Sequence, residues 1–160
     1  MQTAPPQEGK RDEIERFWLD YQRACSVQVE GFSATAFGPT RVVADELAIL
    51  IRQGDKRAHA TLERDFETEG DALPRAGEHI VVLDGRGTPQ AIVRLRHVER
   101  RHFADIDAEF AFECGEGDRT LAWWLVAYRQ EFAERAHAQG FQVDERAVLI
   151  LEYFDLVWPV

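Results

Sequence analysis

The sequence predicts an α+β domain in which helices pack on an antiparallel or mixed sheet. Its 160 residues, 45% hydrophobic and 11% aromatic, supply core material for about one domain. The apolar period switches between about 3.6 and 2 along the chain, so both helices and strands are present. The elements run helix, helix, strand, hairpin, helices, strand, without the regular alternation of βαβ units.

Taken in order, Ile14, Phe17, Trp18 and Tyr21 recur at i, i+3, i+4, i+7 and predict a first helix over 12–24. The segment 31–39 is rich in Gly, Ser, Thr and Ala. Thr40 then offers an N-cap for a second helix carrying Val43, Leu47, Leu50 and Ile51, and Gly54 offers its stop. After Gly54 the period becomes 2: Ala58, Ala60 and Leu62 alternate with Arg57, His59 and Thr61, as a half-buried strand would. Residues 67–77 read as a long polar loop. Strands over 79–83 and 90–98 flank Asp84-Gly85-Arg86-Gly87, whose residues suit a tight hairpin. Phe103, Ile106 and Phe110 suggest a short helix, and Asp118 an N-cap for a long one striped by Leu121, Trp124, Leu125, Tyr128 and Phe132 up to Gly140. The apolar run 147–158 reads as a central strand closing the sheet.

Charge and composition exclude several classes of function. The balance of 19 basic against 29 acidic residues gives −10, a field that opposes broad coating of RNA or DNA and leaves only local recognition of a base or a few phosphates. No apolar run reaches the ~18 residues of a bilayer-spanning helix. The first ten residues lack the apolar stretch of a signal peptide, so a flexible leader over 1–10, one domain over 11–160 and a cytoplasmic location are expected. Cys25 and Cys114 stand far apart with no CxxC or metal-ligand spacing and read as buried or partly buried thiols.

Two segments concentrate chemistry. Gly54-Asp55-Lys56-Arg57-Ala58-His59-Ala60-Thr61 joins a helix end, two cations and polar side chains at the mouth of a strand. Lys56 and Arg57 either complement the helix carboxyl terminus or place Lys56 in a closed pocket as base, nucleophile or anion clamp. His59 is either a satisfied structural residue or the natural proton carrier near neutral pH. Glu113-Cys114-Gly115-Glu116-Gly117-Asp118 is either a solvated acidic turn or a glycine-hinged loop presenting Glu116, and its three acids could hold Mg²⁺ or Mn²⁺. Gly85-Arg86-Gly87 lacks the following helix and the other positions of a phosphate-binding loop.

These blocks stand in an order that resembles a known family. Ala36-Phe37-Gly38, Ala44-Asp45-Glu46-Leu47, Gly54-Asp55-Lys56, Leu73-Pro74-Arg75-Ala76-Gly77, Val82-Leu83-Asp84-Gly85, Asp107-Ala108-Glu109-Phe110 and Glu116-Gly117-Asp118-Arg119-Thr120-Leu121 are similar to the bacterial ASCH domain proteins over roughly residues 18–159. The resemblance implies a PUA-like fold: a small mixed or antiparallel β-barrel flanked by helices, with a cleft at the GxK lysine. It implies association with RNA, and either metal-assisted cleavage of single-stranded RNA or deacylation of N4-acylated cytidine. In the deacylating branch the working residues are the GxK lysine, a threonine three positions on, and a later glutamate. Carried over, these are Lys56 and Glu116, with Glu113 the alternative glutamate. This chain has His59 where the threonine would stand, and Pro39 where larger members follow Phe-Gly with Asp. It is also longer than the deacylating members.

Two functions follow. As a hydrolase of RNA or a modified nucleoside, the protein would use His59 as general base, Lys56 to stabilise the developing anion and Glu116 to orient one of them or hold a metal or water. As a non-catalytic module it would stack a base on Phe37 or Trp123, aromatics that otherwise belong to the core, with contacts from Lys56 and Arg57. Phe37, Gly38, Arg57, Thr61 and Trp123 are the expected substrate contacts, single-stranded RNA or a modified nucleoside the expected partner, and Mg²⁺ or Mn²⁺ the one cofactor suggested.

Overall fold

The computed structural model describes residues 8–29 and 31–160. Its elements are α1 (Glu8–Cys25), β1 (Ser33–Ala36), α2 (Arg41–Gln53), β2 (Ala58–Leu62), α3 (Glu63–Glu69), β3 (His79–Leu83), β4 (Pro89–His102), α4 (Ala108–Cys114), α5 (Leu121–Gln139) and β5 (Val148–Trp158), with a 3-10 turn at Phe103–Asp105. Most of the expected leader lies outside the described residues, but Glu8 to Lys10 form the first turn of α1.

The strands lie in the order β1-β3-β4-β5-β2 in one curled sheet, a half-barrel. β1 runs parallel to β3 and every other pairing is antiparallel, so the sheet is mixed. β5 is an inner strand, as its apolar run implied, and register shifts between Ile92/Val93 and Leu95/His97 bend the long β4 against it.

Alternation along the strands distributes side chains among three packed groups. Ile80, Val82, Val93 and Leu95 meet Leu47 and Ile51 of α2, whereas Val81, Leu83 and Ile92 meet Ile14, Trp18 and Tyr21 of α1. At the other end, Ala58, Ala60, Leu149 and Leu151 pack with Phe110 of α4 and Trp124, Tyr128 and Phe132 of α5. α2 is fixed at both ends: the Thr40 side chain accepts the Val43 N–H, and Gly54 adopts φ 83° just past the helix.

Several expectations are corrected. The loop expected from residue 67 begins inside α3, whose seven largely polar residues give little periodic signal. The segment 31–39 contains β1, a strand of small residues set by pairing with β3 rather than by its own pattern. β4 continues to His102 because β5 pairs with it through Glu99, Arg100 and Arg101. The N-cap of α5 is Thr120, which accepts the Trp123 N–H, while the Asp118 carboxylate accepts the Thr120 N–H and hydroxyl. β2 is buried on both faces, so His59 is an interior residue rather than part of a solvated face.

Candidate functional site

The left-handed Gly54 reverses the chain at the end of α2 and points it back across the fold, so that Lys56 enters the interior just before β2. Lys56 is 1% exposed. Its ammonium donates to the carbonyls of Ala58 at 2.7 Å and Cys114 at 3.3 Å, and to Glu116 Oε2 at 2.8 Å. A buried lysine needs this: three acceptors match its three protons, and one carries the opposite charge.

The acidic segment is built onto that turn. A Cβ on Gly115 would stand 2.2 Å from the Asp55 carbonyl oxygen, so only glycine lets the two backbones meet. The Arg57 N–H donates to the Glu113 carbonyl at 2.7 Å, and the Arg119 guanidinium donates to the Asp55 carbonyl at 3.2 Å. Glu116 is thereby held inside, 8% exposed, rather than presented on a solvated turn. The Tyr128 hydroxyl donates to its Oε2 at 2.5 Å. Burial, then the Glu116 charge, raises the Tyr128 phenol well above its ordinary value and keeps it a donor. Both bonds fall on Oε2; Oε1 has no protein partner among the described residues.

Glu116 and Tyr128 form one wall of a cavity of about 430 Å³ between α2 and α5. Val43, Leu47 and Leu50 supply an apolar wall, Trp123 and Pro39 line it too, and Glu131 with the exposed Glu46 and Glu134 adds carboxylates; among the described residues no lysine or arginine lines it. The Trp123 indole covers Gly117, where a Cβ would lie 2.1 Å from the ring. Glu131 is pushed up to about 7, first by burial and then by the nearby Glu116 charge.

The remaining expected residues divide. His59 packs edge-on against Phe37, with ring centroids 4.9 Å apart, and against Tyr128, and is not among the cavity-lining residues. Burial first, then the Lys56 charge, holds it well below the ordinary histidine range, so it is neutral at pH 7. Phe37 is a core residue and Gly38 lies against Val43 at the start of α2. Arg57 is exposed and its guanidinium donates to the Gly54 carbonyl, completing the end of α2; Thr61 lies on β2 opposite Ile150. Of the five expected substrate contacts, only Trp123 faces the cavity. The three acids of the segment do not gather: Glu116 is bound to Lys56 and Tyr128, Asp118 caps Thr120, and no group of three metal-ligating side chains occurs among the described residues. Burial pushes the Cys114 thiol up to about 12, so it is a protonated packing group. Tyr128, Glu131 and Glu152 escaped sequence reasoning. Tyr128 looked like one more residue of an apolar stripe. Glu152 sits across the β2–β5 ladder from His59, and burial first, then Glu78, raises it to about 7.

The ASCH domain family model matches residues 33–158, the whole sheet together with both walls of the cavity. The chain belongs to the ASCH domain family. Such domains are generally PUA-like, RNA-binding modules. The fold is similar to the ASCH domain from Lactobacillus crispatus JV V101, with TM-score 0.84 and 32% identity over 94% of this chain and 97% of that one. It is also similar in fold to a protein from Enterococcus faecalis V583, with TM-score 0.82 and 24% identity over 92% of this chain and 91% of that one. No curated protein matches the chain by sequence. No helix among the described residues of this ASCH domain is long and apolar enough to cross a membrane.

Proposed function

We propose that this ASCH domain hydrolyses the acyl amide of an N-acylated nucleobase, of the N4-acylcytidine kind, in the cavity between α2 and α5. The observation that carries the reading is the Glu116 carboxylate, fixed through Oε2 by Lys56 and Tyr128 and free at Oε1, on the wall of a nucleoside-sized cavity. A water held by Oε1 attacks the acyl carbon while Glu116 takes its proton. The C–N bond then breaks, the proton passes to the departing amine nitrogen, and a carboxylic acid and the free nucleobase amine leave. Lys56 holds the carboxylate in place, and Trp123 offers a face for the base.

The same cavity argues against cleavage of an RNA backbone, because four glutamates and no cation would surround the phosphate. The roles differ from those expected from the sequence: Glu116 takes the role of base in place of His59, which is neutral, packs against Tyr128 and Phe37, and lies outside the cavity lining. A second reading, a base-binding module without turnover, is favoured by Lys56 having all three protons engaged, which leaves none for a substrate.

Mass spectrometry of the protein with N4-acetylcytidine and with a short single-stranded RNA, each with and without Mn²⁺, decides between them. Deacetylation that disappears in Glu116→Gln, with the variant folded by circular dichroism, is expected. Intact acetylcytidine with measurable nucleoside binding would establish the module instead, and RNA fragments lost in the same variant would overturn the choice of bond.

A further inference from the structure

We propose that His59 and Glu152 form a second recognition site, on the sheet itself, for the amide edge of a nucleobase: an N–H beside a C=O, as uracil presents. The inference goes beyond the hydrolysis reading and does not depend on it, since neither residue lines the cavity between α2 and α5.

β2 and β5 pair with His59 directly across from Glu152, so the two side chains leave the sheet on one face with their Cβ atoms about 5 Å apart. That face is opposite the one on which Ala58, Ala60, Leu149 and Leu151 pack against α4 and α5. Both residues are more than nine-tenths buried, His59 at 8% exposure and Glu152 at 7%. Buried polar groups are nearly always hydrogen-bonded, and these are not. His59 Nδ1 is sealed from solvent without a partner, and the Glu152 carboxyl makes no hydrogen bond or ion pair among the described residues.

Two unmet groups side by side specify a ligand more narrowly than either alone. An anion would meet the nearby Glu78, and a cation would meet Lys56, whose charge acts on both residues. The site therefore favours a neutral guest. Burial, then Glu78, raises Glu152 to about 7, which makes a carboxylic acid available near neutral pH: its O–H can donate to a carbonyl while its C=O accepts an adjacent N–H. The neutral imidazole adds a donor or an acceptor according to its tautomer. An amide edge complements that set. Phe37, edge-on to the imidazole with centroids 4.9 Å apart, and the buried Ile150 and Phe154 on either side of Glu152 give the apolar surroundings in which such bonds strengthen. Both residues keep a little exposed surface, through which the edge of a base can reach them.

NMR of the full chain with isotopically labelled histidine reads the site directly, the His59 signals being identified by their loss in His59→Phe. Uridine is expected to shift them saturably. 3-Methyluridine, equally neutral and nearly the same size but without the N3–H, is expected to bind roughly tenfold more weakly, because it leaves a buried acceptor unmet. Glu152→Leu, folded by circular dichroism, should abolish the response to uridine. A UpUpU trinucleotide separates the two sources of such an edge: tighter binding than uridine assigns the site to RNA, and equal binding assigns it to free nucleosides. No shift with uridine, equal affinity for the two nucleosides, or a response that survives in folded Glu152→Leu would each overturn the proposal. Trp123→Ala removes the stacking face of the α2–α5 cavity and should leave the His59 response in place; its loss there would put the base in that cavity and overturn this site too. Loss of acetyl from N4-acetylcytidine tests the hydrolysis reading separately, so either reading can fail while the other stands.

Discussion

The cavity between α2 and α5 and the outer run of β4 handle charge in opposite ways. On β4 the cations are matched: Arg96 faces Asp155 at 3.8 Å, Arg100 pairs with Glu63, and Arg101 meets Glu99 at 2.7 Å and Asp107 at 3.4 Å. In the cavity wall Glu116 is buried against Lys56 and Glu131 is half-buried, while Glu46 and Glu134 reach solvent. A chain of net charge −10 has carboxylates to spare, and most could be spread over its surface. Burying Glu116 and Glu131 beside apolar residues costs stability that matched surface pairs do not.

The largest expected effect lies at the buried Lys56–Glu116 pair. Lys56→Met leaves the buried Glu116 carboxylate without its counter-charge, with only the Tyr128 hydroxyl still donating to it, and should lower unfolding stability by about 3–5 kcal/mol in a urea titration. Survival with near wild-type stability would mean that water reaches Glu116 freely, which would erase the contrast with β4.

The next prediction concerns pH. The Glu152 carboxyl titrates near 7 in the folded protein, above its value in the unfolded chain, so between about pH 4.3 and 7 the native state holds a proton that the unfolded state has released. Stability therefore falls as pH rises through that window and levels off above it. Glu131, raised to about 7 as well, adds to the same slope, so Glu152→Gln should remove only its own share and stabilise the protein at pH 8 by on the order of 2–3 kcal/mol in paired denaturant titrations. An unchanged slope would place the buried charge cost elsewhere.

Tyr128→Phe deletes one hydrogen bond to a charged group while keeping the ring stacked on Trp124, and should cost about 1.5–3 kcal/mol by thermal unfolding. The smallest effect belongs to β4. Arg96→Ala removes an exposed pair and should shift stability by at most ~1 kcal/mol in the same assay, with the shift declining in salt.

How much of this was legible follows from the range of the forces involved. α2 could be bounded from sequence because Thr40 and Gly54 act within one turn of their own positions. β1 could not, since its four residues become a strand only by lying beside β3. Lys56 and Glu116 were legible through the family resemblance, and the geometry joins them. The burial of His59 was not, because a period of 2 says that two faces differ without saying whether the second is covered; Phe37 and Tyr128, distant in sequence, cover it. The carboxylate surplus was visible as composition, but its concentration between α2 and α5 depends on which helix faces meet.

The contact of Gly115 with Asp55 and Lys56 ties together stretches of chain about sixty positions apart. During synthesis the lysine emerges first, and the glutamate, the tyrosine and the glycine that seals the turn emerge only after the hairpin and α4. Until then Lys56 has no Glu116 to meet, so a nascent or truncated chain ending near residue 110 carries the α2 wall of the cavity but not the α5 wall or the buried pair. The carboxyl-terminal half must therefore dock before the cavity exists, and any molecule that bound only this assembled state would pull folding toward completion by mass action.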